Sequence, residues 1–245
     1  MGEAPGAQMP EPPWRSPPRR HGVPRPQLSR DAVVAAALEV VEKDGADALT
    51  MRSVAKEIGV SASSLYGYVA NKEELVQLLL DQLFQEVELP PEGGPWQQTL
   101  KEFCRSMLRV FRRHRGMAAL TLGRVALPAS MLDGLERSFA EFRAAGLPDE
   151  VTVYIGDLLG LYCAAIAYEM DMAPPGEPQE FAAQFAGWLR SLPRDRFPNV
   201  TELAGKMVAG NAEDRFEWGL DVIVRGLASY VDAPPTADAR WPVAD

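Results

Sequence analysis

The chain has 245 residues, 47% hydrophobic and 24% charged, with a formal net charge of −9 and two cysteines. That length suffices for a small domain followed by a larger one, and the composition is that of a globular protein. The negative charge argues against indiscriminate attraction to nucleic acid, no apolar run approaches the roughly 20 residues that span a bilayer, and the N-terminus lacks the apolar core of a signal peptide, so a cytoplasmic protein with no membrane partner is expected.

Residues 1–28 are crowded with proline, show no hydrophobic period, and carry Arg15, Arg19, Arg20 and Arg25 against Glu3 and Glu11, which predicts a disordered, locally basic tail. Ser29 then caps a helix over Arg30 to Lys43, with Val33, Val34, Ala37, Leu38 and Val41 as its buried stripe and Gly45 as its stop. Thr50 caps a second helix whose apolar positions are Met51, Val54, Ala55 and Ile58. Gly59 ends it, Val60 packs back, and Ser61 caps the next segment.

That next helix, predicted over Ala62 to Val69, has Leu65 and Val69 as its inner anchors. It presents Ser63, Ser64, Tyr66, Gly67 and Tyr68, small or hydroxyl-bearing side chains suited to close approach to a groove. Asn71 followed by Glu74 has the spacing of a capping box and starts a longer helix, to about Glu88, through Leu75, Leu78, Leu79 and Leu83. Two short helices about a tight turn, backed by a third, are the pattern of a helix-turn-helix that reads double-stranded DNA.

Over about Ser29 to Leu83 the chain resembles the TetR family of bacterial regulators, on the capped helix, the Gly59-Val60-Ser61 turn, the Leu65-Tyr66 pair and the Asn71-Lys72-Glu73-Glu74-Leu75 start, all in register. The resemblance implies phosphate contacts for Tyr66 and Lys72, a base or phosphate contact for Arg52, and base-reading positions at Ala62, Ser63 and Tyr68, with Ser64 beside them. Taken singly, each tyrosine reads equally well as a half-buried aromatic and Arg52 as a solvated arginine. The basic tail reads either as a plain solvated segment or as an arm along phosphates or a minor groove.

Beyond the helix breaker Pro90 to Pro95, every segment has helical periodicity. Trp96 to Arg113 repeats Leu100, Phe103, Cys104, Met107, Leu108 and Phe111, and Gly116 ends it. A short segment over Ala118 to Leu122 follows, then Ser130 to Ala145 with Leu132, Leu135, Phe139 and Phe142. Asp149 caps the most apolar helix, Glu150 to Asp171, which is apolar around much of its circumference. A helix containing Phe181, Phe185, Trp188 and Leu189, a short one near Val200 to Val208, and a final one over Ala212 to Val231 capped by Asn211 complete an all-α chain. The expected organisation is a tail (1–28), a DNA-binding domain (29–75), a connecting helix and linker (76–95), a helical ligand-binding and dimerisation domain (96–231) and a second tail (232–245).

The two apolar late helices suit a four-helix interface in a homodimer, which would place two recognition helices on the halves of a near-palindromic operator. Gly156, Gly160 and Ala164, four apart, serve either close approach of a facing helix or internal packing. Cys104 and Cys163 lie in apolar patterns without metal-ligand spacing and read as buried small hydrophobes, with a redox-sensing pair as the alternative.

Trp96 to Gly116, Leu159 to Glu169 and Arg215 to Leu227 resemble the ligand-binding domain of tetracycline repressors, where a histidine of a His-Leu-Gly stretch and an acid hold the magnesium of the drug chelate. Glu169 matches the acid. Thr121 stands in place of the histidine and is a poor substitute for imidazole, so neither a chelated tetracycline nor a metal or cofactor is expected. What the resemblance still implies is an effector pocket drawn from Phe103, Met107, Leu120, Thr121, Leu135, Phe139, Tyr162 and Ile166, with Glu169, Tyr168 or Arg124 as polar handles. Helical spacing alone leaves plain core open for each apolar member, and Glu169 either pairs with an arginine such as Arg124 or meets a polar or cationic ligand group.

The expected function is thus a regulator, a repressor released by a small molecule. A ligand-independent regulator and a helical adaptor with a degenerate helix-turn-helix are the alternatives. The two histidines, His21 and His114, stand in no nucleophile-base-acid arrangement, and no phosphate-cradling loop is visible, so enzyme chemistry is not expected.

Overall fold

A computed structural model describes residues 28–91, 93–122, 129–172 and 178–232. The described residues form eleven α-helices with no strand. Expectations that fall on residues 1–27 and 233–245, including the basic arm, lie outside the described residues, as does Arg124.

In the first four helices, local chemistry sets the boundaries. α1 (Arg30–Asp44) starts where Ser29 Oγ accepts from the Ala32 N–H at 3.1 Å and stops at Gly45, φ 88°. A 3₁₀ turn over Ala46–Ala48, which periodicity does not reveal, leads to α2 (Met51–Ile58). Thr50 caps α2 as expected, and Ser53 completes a reciprocal box by accepting from the Thr50 N–H at 2.9 Å. Gly59 ends α2 in the left-handed conformation, φ 79° and ψ 33°.

α3 is shorter than expected. It spans Ala62–Leu65, and residues 66–68 form a turn in which the Tyr68 N–H and the Val69 N–H both donate to the Leu65 carbonyl, at 2.9 and 3.0 Å. Gly67 contributes little helix propensity, and the turn that replaces the last helical residues still buries both Leu65 and Val69 (0 and 1% exposed). Ser61 is the N-cap by position only, because its hydroxyl meets Ser63 Oγ and Ser64 Oγ rather than a backbone N–H.

α4 (Lys72–Gln85) is capped by Asn71, whose Oδ1 accepts from the Glu74 N–H at 2.8 Å. It packs on α1, on α5 (Trp96–Arg113) and on α6 (Met117–Thr121). Phe84 meets Phe111 edge-on at 6.3 Å, and the Glu88 N–H donates to the buried Ser106 Oγ at 2.8 Å. A 3₁₀ turn over Ala129–Met131 also rests on α4, since the Ser130 N–H donates to Asp81 Oδ1 at 3.1 Å. One continuous apolar core therefore runs from Val33 to Leu227, and α4 is shared between the two halves rather than a loose connector.

The larger half centres on α8 (Asp149–Met172), which packs on α5, α6, α7 (Leu132–Ala144) and α11 (Ala212–Asp232). Asp149 is the first residue of α8 rather than a residue outside it. α8 is long and apolar enough to cross a bilayer, contrary to the reading of the sequence, with a mean hydropathy of 1.5. It serves instead as the central core helix, burying Val151, Ile155, Leu159, Cys163, Ala164 and Ala167. α9 (Pro178–Arg190) and α10 (Pro198–Met207) pack on each other, and none of their residues belongs to the main core.

Candidate functional site

The α2–α3 unit is rigid beneath and polar above. Leu49, Val54, Ala55, Leu65 and Val69 are buried, while Arg52, Ser63, Ser64, Tyr66 and Tyr68 are exposed. Tyr66 is 55% and Tyr68 39% exposed, so each ring is partly packed and partly open to solvent. Ala62 and Lys72 are intermediate, Lys72 being the first residue of α4. The hydroxyls of Ser63 and Ser64 each lie 2.8 Å from Ser61 Oγ, so the three form a small polar cluster at the start of α3.

Glu74 braces this unit from behind. Its carboxylate accepts from the Ala70 N–H and from Arg30 of α1, 44 residues away. The backbone hydrogen bond from Ala70, opposed by desolvation and aided by Arg30, holds its carboxyl below the usual carboxylate range. The sequence showed the capping spacing of Glu74 but not its partners, because Arg30 is brought there by the packing of α1 on α4.

The residues expected to line an effector pocket are distributed differently. Met107 and Leu120 are buried in the core, and Phe103, Tyr162 and Ile166 are packed against it. Thr121 donates to the Ala118 carbonyl at 2.7 Å at the end of α6. Tyr162 stacks on Phe216 of α11 at 5.6 Å and donates to the Phe216 carbonyl at 2.9 Å, so its hydroxyl is already engaged. Leu135 and Phe139 are half-buried on α7, and Tyr168 is exposed.

Glu169 is about half exposed and is held by Arg215 of α11 at 2.7 Å. Of the two readings left open for Glu169, the structure shows a pairing with an arginine, and the partner is Arg215; Arg124 lies outside the described residues. An open cleft of about 320 Å³ lies between α7 and α8, lined by Glu136, Phe139, Ala140, Arg143, Thr152 and neighbours. Phe139 is the member of the expected set that lines it. Thr152, 3% exposed, borders the cleft and has a buried hydroxyl without a hydrogen-bond partner, a residue that sequence reading missed because a threonine in an apolar helix gives no signal of its own.

Cys104 and Cys163 are buried side by side between α5 and α8, with Cys163 Sγ 3.8 Å from the Cys104 carbonyl. Contact with the Cys104 thiol and burial push the Cys163 thiol well up, which suits the reading as inert core residues. Among the described residues no group of histidine, cysteine and acidic side chains could hold a metal ion.

Two sequence families match the chain. One, "Bacterial regulatory proteins, tetR family", covers residues 33–79, and the other, "Tetracyclin repressor-like, C-terminal domain", covers residues 89–231. The HTH-type transcriptional repressor DrrR1 of Streptomyces coeruleorubidus is 30% identical over 217 residues, 85% of this chain and 80% of its own. The class D tetracycline repressor protein of Escherichia coli is 27% identical over 210 residues, 84% of this chain and 92% of its own.

The crystal structure of ActR from Streptomyces coelicolor in complex with actinorhodin superposes with a TM-score of 0.77 at 38% identity, covering 85% of this chain and 99% of that one. With both halves matched, and with the α2–α3 unit and the α8-centred domain placed as described, the chain belongs to the TetR family of bacterial regulatory proteins.

Proposed function

We propose that this protein is a cytoplasmic, ligand-responsive transcriptional repressor without catalytic activity, bound as a homodimer to a near-palindromic operator and released by a small molecule. Residues 29–75 form the DNA-binding domain, 76–95 the connection, and 96–231 the effector and dimerisation domain. The observation that carries this reading is the α2–α3 unit, where Arg52, Ser63, Ser64, Tyr66 and Tyr68 are exposed above the fully buried Leu65 and Val69.

Tyr66 and Lys72 touch phosphates, Arg52 reaches a phosphate or base edge, and Ala62, Ser63, Ser64 and Tyr68 face the major groove. The effector enters the α5–α8 domain, and the differential affinity of that domain for the two states sets the release. ActR has been solved with actinorhodin, and Thr121 of this chain offers no imidazole for a metal chelate. The effector is therefore closer to the actinorhodin class than to a magnesium-tetracycline chelate.

Selection of bound fragments from the source genome, run beside an Arg52→Ala, Tyr66→Ala, Lys72→Ala triple variant, tests the assignment. Recovery of a near-palindromic site by the unaltered chain alone is expected, and each lost phosphate contact lowers the salt dependence of binding by about one unit of log–log slope. Enrichment of no sequence, or equal enrichment by the variant, would overturn it.

A further inference from the structure

The turn between α5 and α6 is where α1, α8 and the end of α4 meet those two helices. Gly116 adopts φ 80°, and a Cβ there would stand 3.0 Å from the Val41 carbonyl of α1, so the turn lies directly against the DNA-binding half. The Gly116 N–H donates to Asp171 Oδ2 at 2.8 Å and Arg115 donates to the Asp171 carbonyl at 3.0 Å, tying the end of α8 to the same turn.

Between these ties sits His114, the only histidine among the described residues, with its side chain 13% exposed. Its Nδ1 lies 2.7 Å from Glu42 Oε1 of α1, and its Nε2 lies 2.9 Å from Glu86 Oε1 at the end of α4. The other charged groups of the junction are accounted for. Arg113 takes Glu86 Oε2 at 2.6 Å, Arg115 goes to Asp171, and Lys43 and Asp44 of α1 are exposed.

Both partners of the ring are carboxylates, which only accept hydrogen bonds when ionised. A neutral imidazole carries one N–H, so it can satisfy one of them and turns a lone pair toward the other. The imidazolium donates to both. The joint from α5 to α1 and α4 is therefore complete only in the protonated ring, and histidine is the side chain whose charge responds to pH changes near neutrality.

We propose that His114 is a positioning residue for the DNA-binding half: as an imidazolium it clasps α1 and α4 to the end of α5, so operator affinity changes with the charge of this one ring. The proposal rests on the reading of the chain as an operator-binding regulator. It adds a regulation of that activity by pH, placed on a residue that touches neither DNA nor effector. The pair at Glu42 and Glu86 gives the clasp its direction, one acceptor on the helix that packs behind the reader and one on the helix shared by both halves.

The test uses the full chain with His21→Gln as reference, so that His114 is the sole histidine. Affinity for the fragment recovered by genomic selection is measured at about pH 6 and about pH 8. The reference is expected to change its dissociation constant by about fivefold or more between the two. His114→Gln should remove that change, and His114→Arg, a permanent cation, should hold the acidic value at both. An equal pH ratio in the reference and in His114→Gln would overturn the proposal.

Melting temperatures without DNA separate this failure from failure of the regulator reading. The loss on His114→Gln should be larger at about pH 6 than at about pH 8, and equal losses at both overturn the clasp even if no operator is recovered. Should His114→Gln not fold, Glu42→Gln keeps the ring, removes one charged acceptor, and is read the same way.

Discussion

Tyr162 shows how one glycine decides what a neighbouring aromatic does. An added Cβ at Gly219 would stand 2.2 Å from the Tyr162 hydroxyl and 2.9 Å from the ring carbon bearing it, so the stack on Phe216 and the hydrogen bond to its carbonyl both require glycine at that position. The colliding atoms belong to a ring held from two sides, not to the end of a flexible chain. Gly219→Ala should therefore destabilise by about 1–3 kcal/mol, read as a fall of several degrees in melting temperature. Tyr162→Phe loses only the hydrogen bond and should cost about 1 kcal/mol. Tyr162→Ala removes the ring with which the new methyl collides, so the Gly219→Ala effect should shrink sharply in that background. Additivity of the two substitutions would show that the collision is not the cause.

At the scale of elements, α5 and α11 are joined by a ladder whose steps run in opposite directions along the two helices: Lys101 with Asp221, Arg105 with Glu217, and Arg112 with Glu213. Arg105 grips both oxygens of Glu217 at 2.7 Å, and that hydrogen bonding, opposed by some desolvation, holds the Glu217 carboxyl below its ordinary value. A carboxyl lowered in the folded state contributes stability that is present above its unfolded value and lost as pH falls through the folded one. Because Glu217 is 45% exposed, screening limits the pair to roughly 0.5–1 kcal/mol. Glu217→Gln should cost that amount at neutral pH and progressively less as pH falls below the ordinary glutamate range, measured by denaturant unfolding at neutral and acidic pH. A cost that does not change with pH would assign the effect to packing.

The same ladder marks the limit of what the sequence discloses. The span of α5 was legible to the residue, because Leu100, Phe103, Cys104, Met107, Leu108 and Phe111 repeat at helical spacing after a proline-rich breaker. Caps at Ser29, Thr50, Asn71 and Asn211 were legible because each acts within three residues of itself. Arg105 and Glu217 are 112 residues apart, and only the register of two antiparallel helices brings them together. The buried anchors Leu65 and Val69 were legible for the first reason, whereas the exposure of Tyr66 and Tyr68 was left open. The α7–α8 cleft was not, for the second, since which side chains border a cleft depends on how two helices cross.

For the molecule as a whole, the informative surface is the outer side of α8. Tyr154, Leu158, Leu161, Ala165, Tyr168 and Met172 are all exposed and recur at alternating intervals of four and three, the spacing of a helix seam that packs against another helix. Gly156 and Gly160, which the sequence left open between a facing helix and internal packing, have open space where a side chain would stand, whereas Ala164 is buried. On α11, Trp218 and Val222 are exposed as well, at 72 and 50%. Two subunits related by a twofold axis would cover these faces with a four-helix seam, and each substitution there counts twice. Leu161→Glu removes about 2 kcal/mol of apolar burial per subunit, so the dimer dissociation constant should rise about a thousandfold. In sedimentation at micromolar concentration the unaltered chain should run as a dimer and the variant as a monomer. Because one short recognition unit spans only half of a near-palindrome, the variant should also lose operator binding while the fold of residues 29–75 stays intact. A Leu161→Glu protein that remains dimeric at micromolar concentration would place the seam on another face.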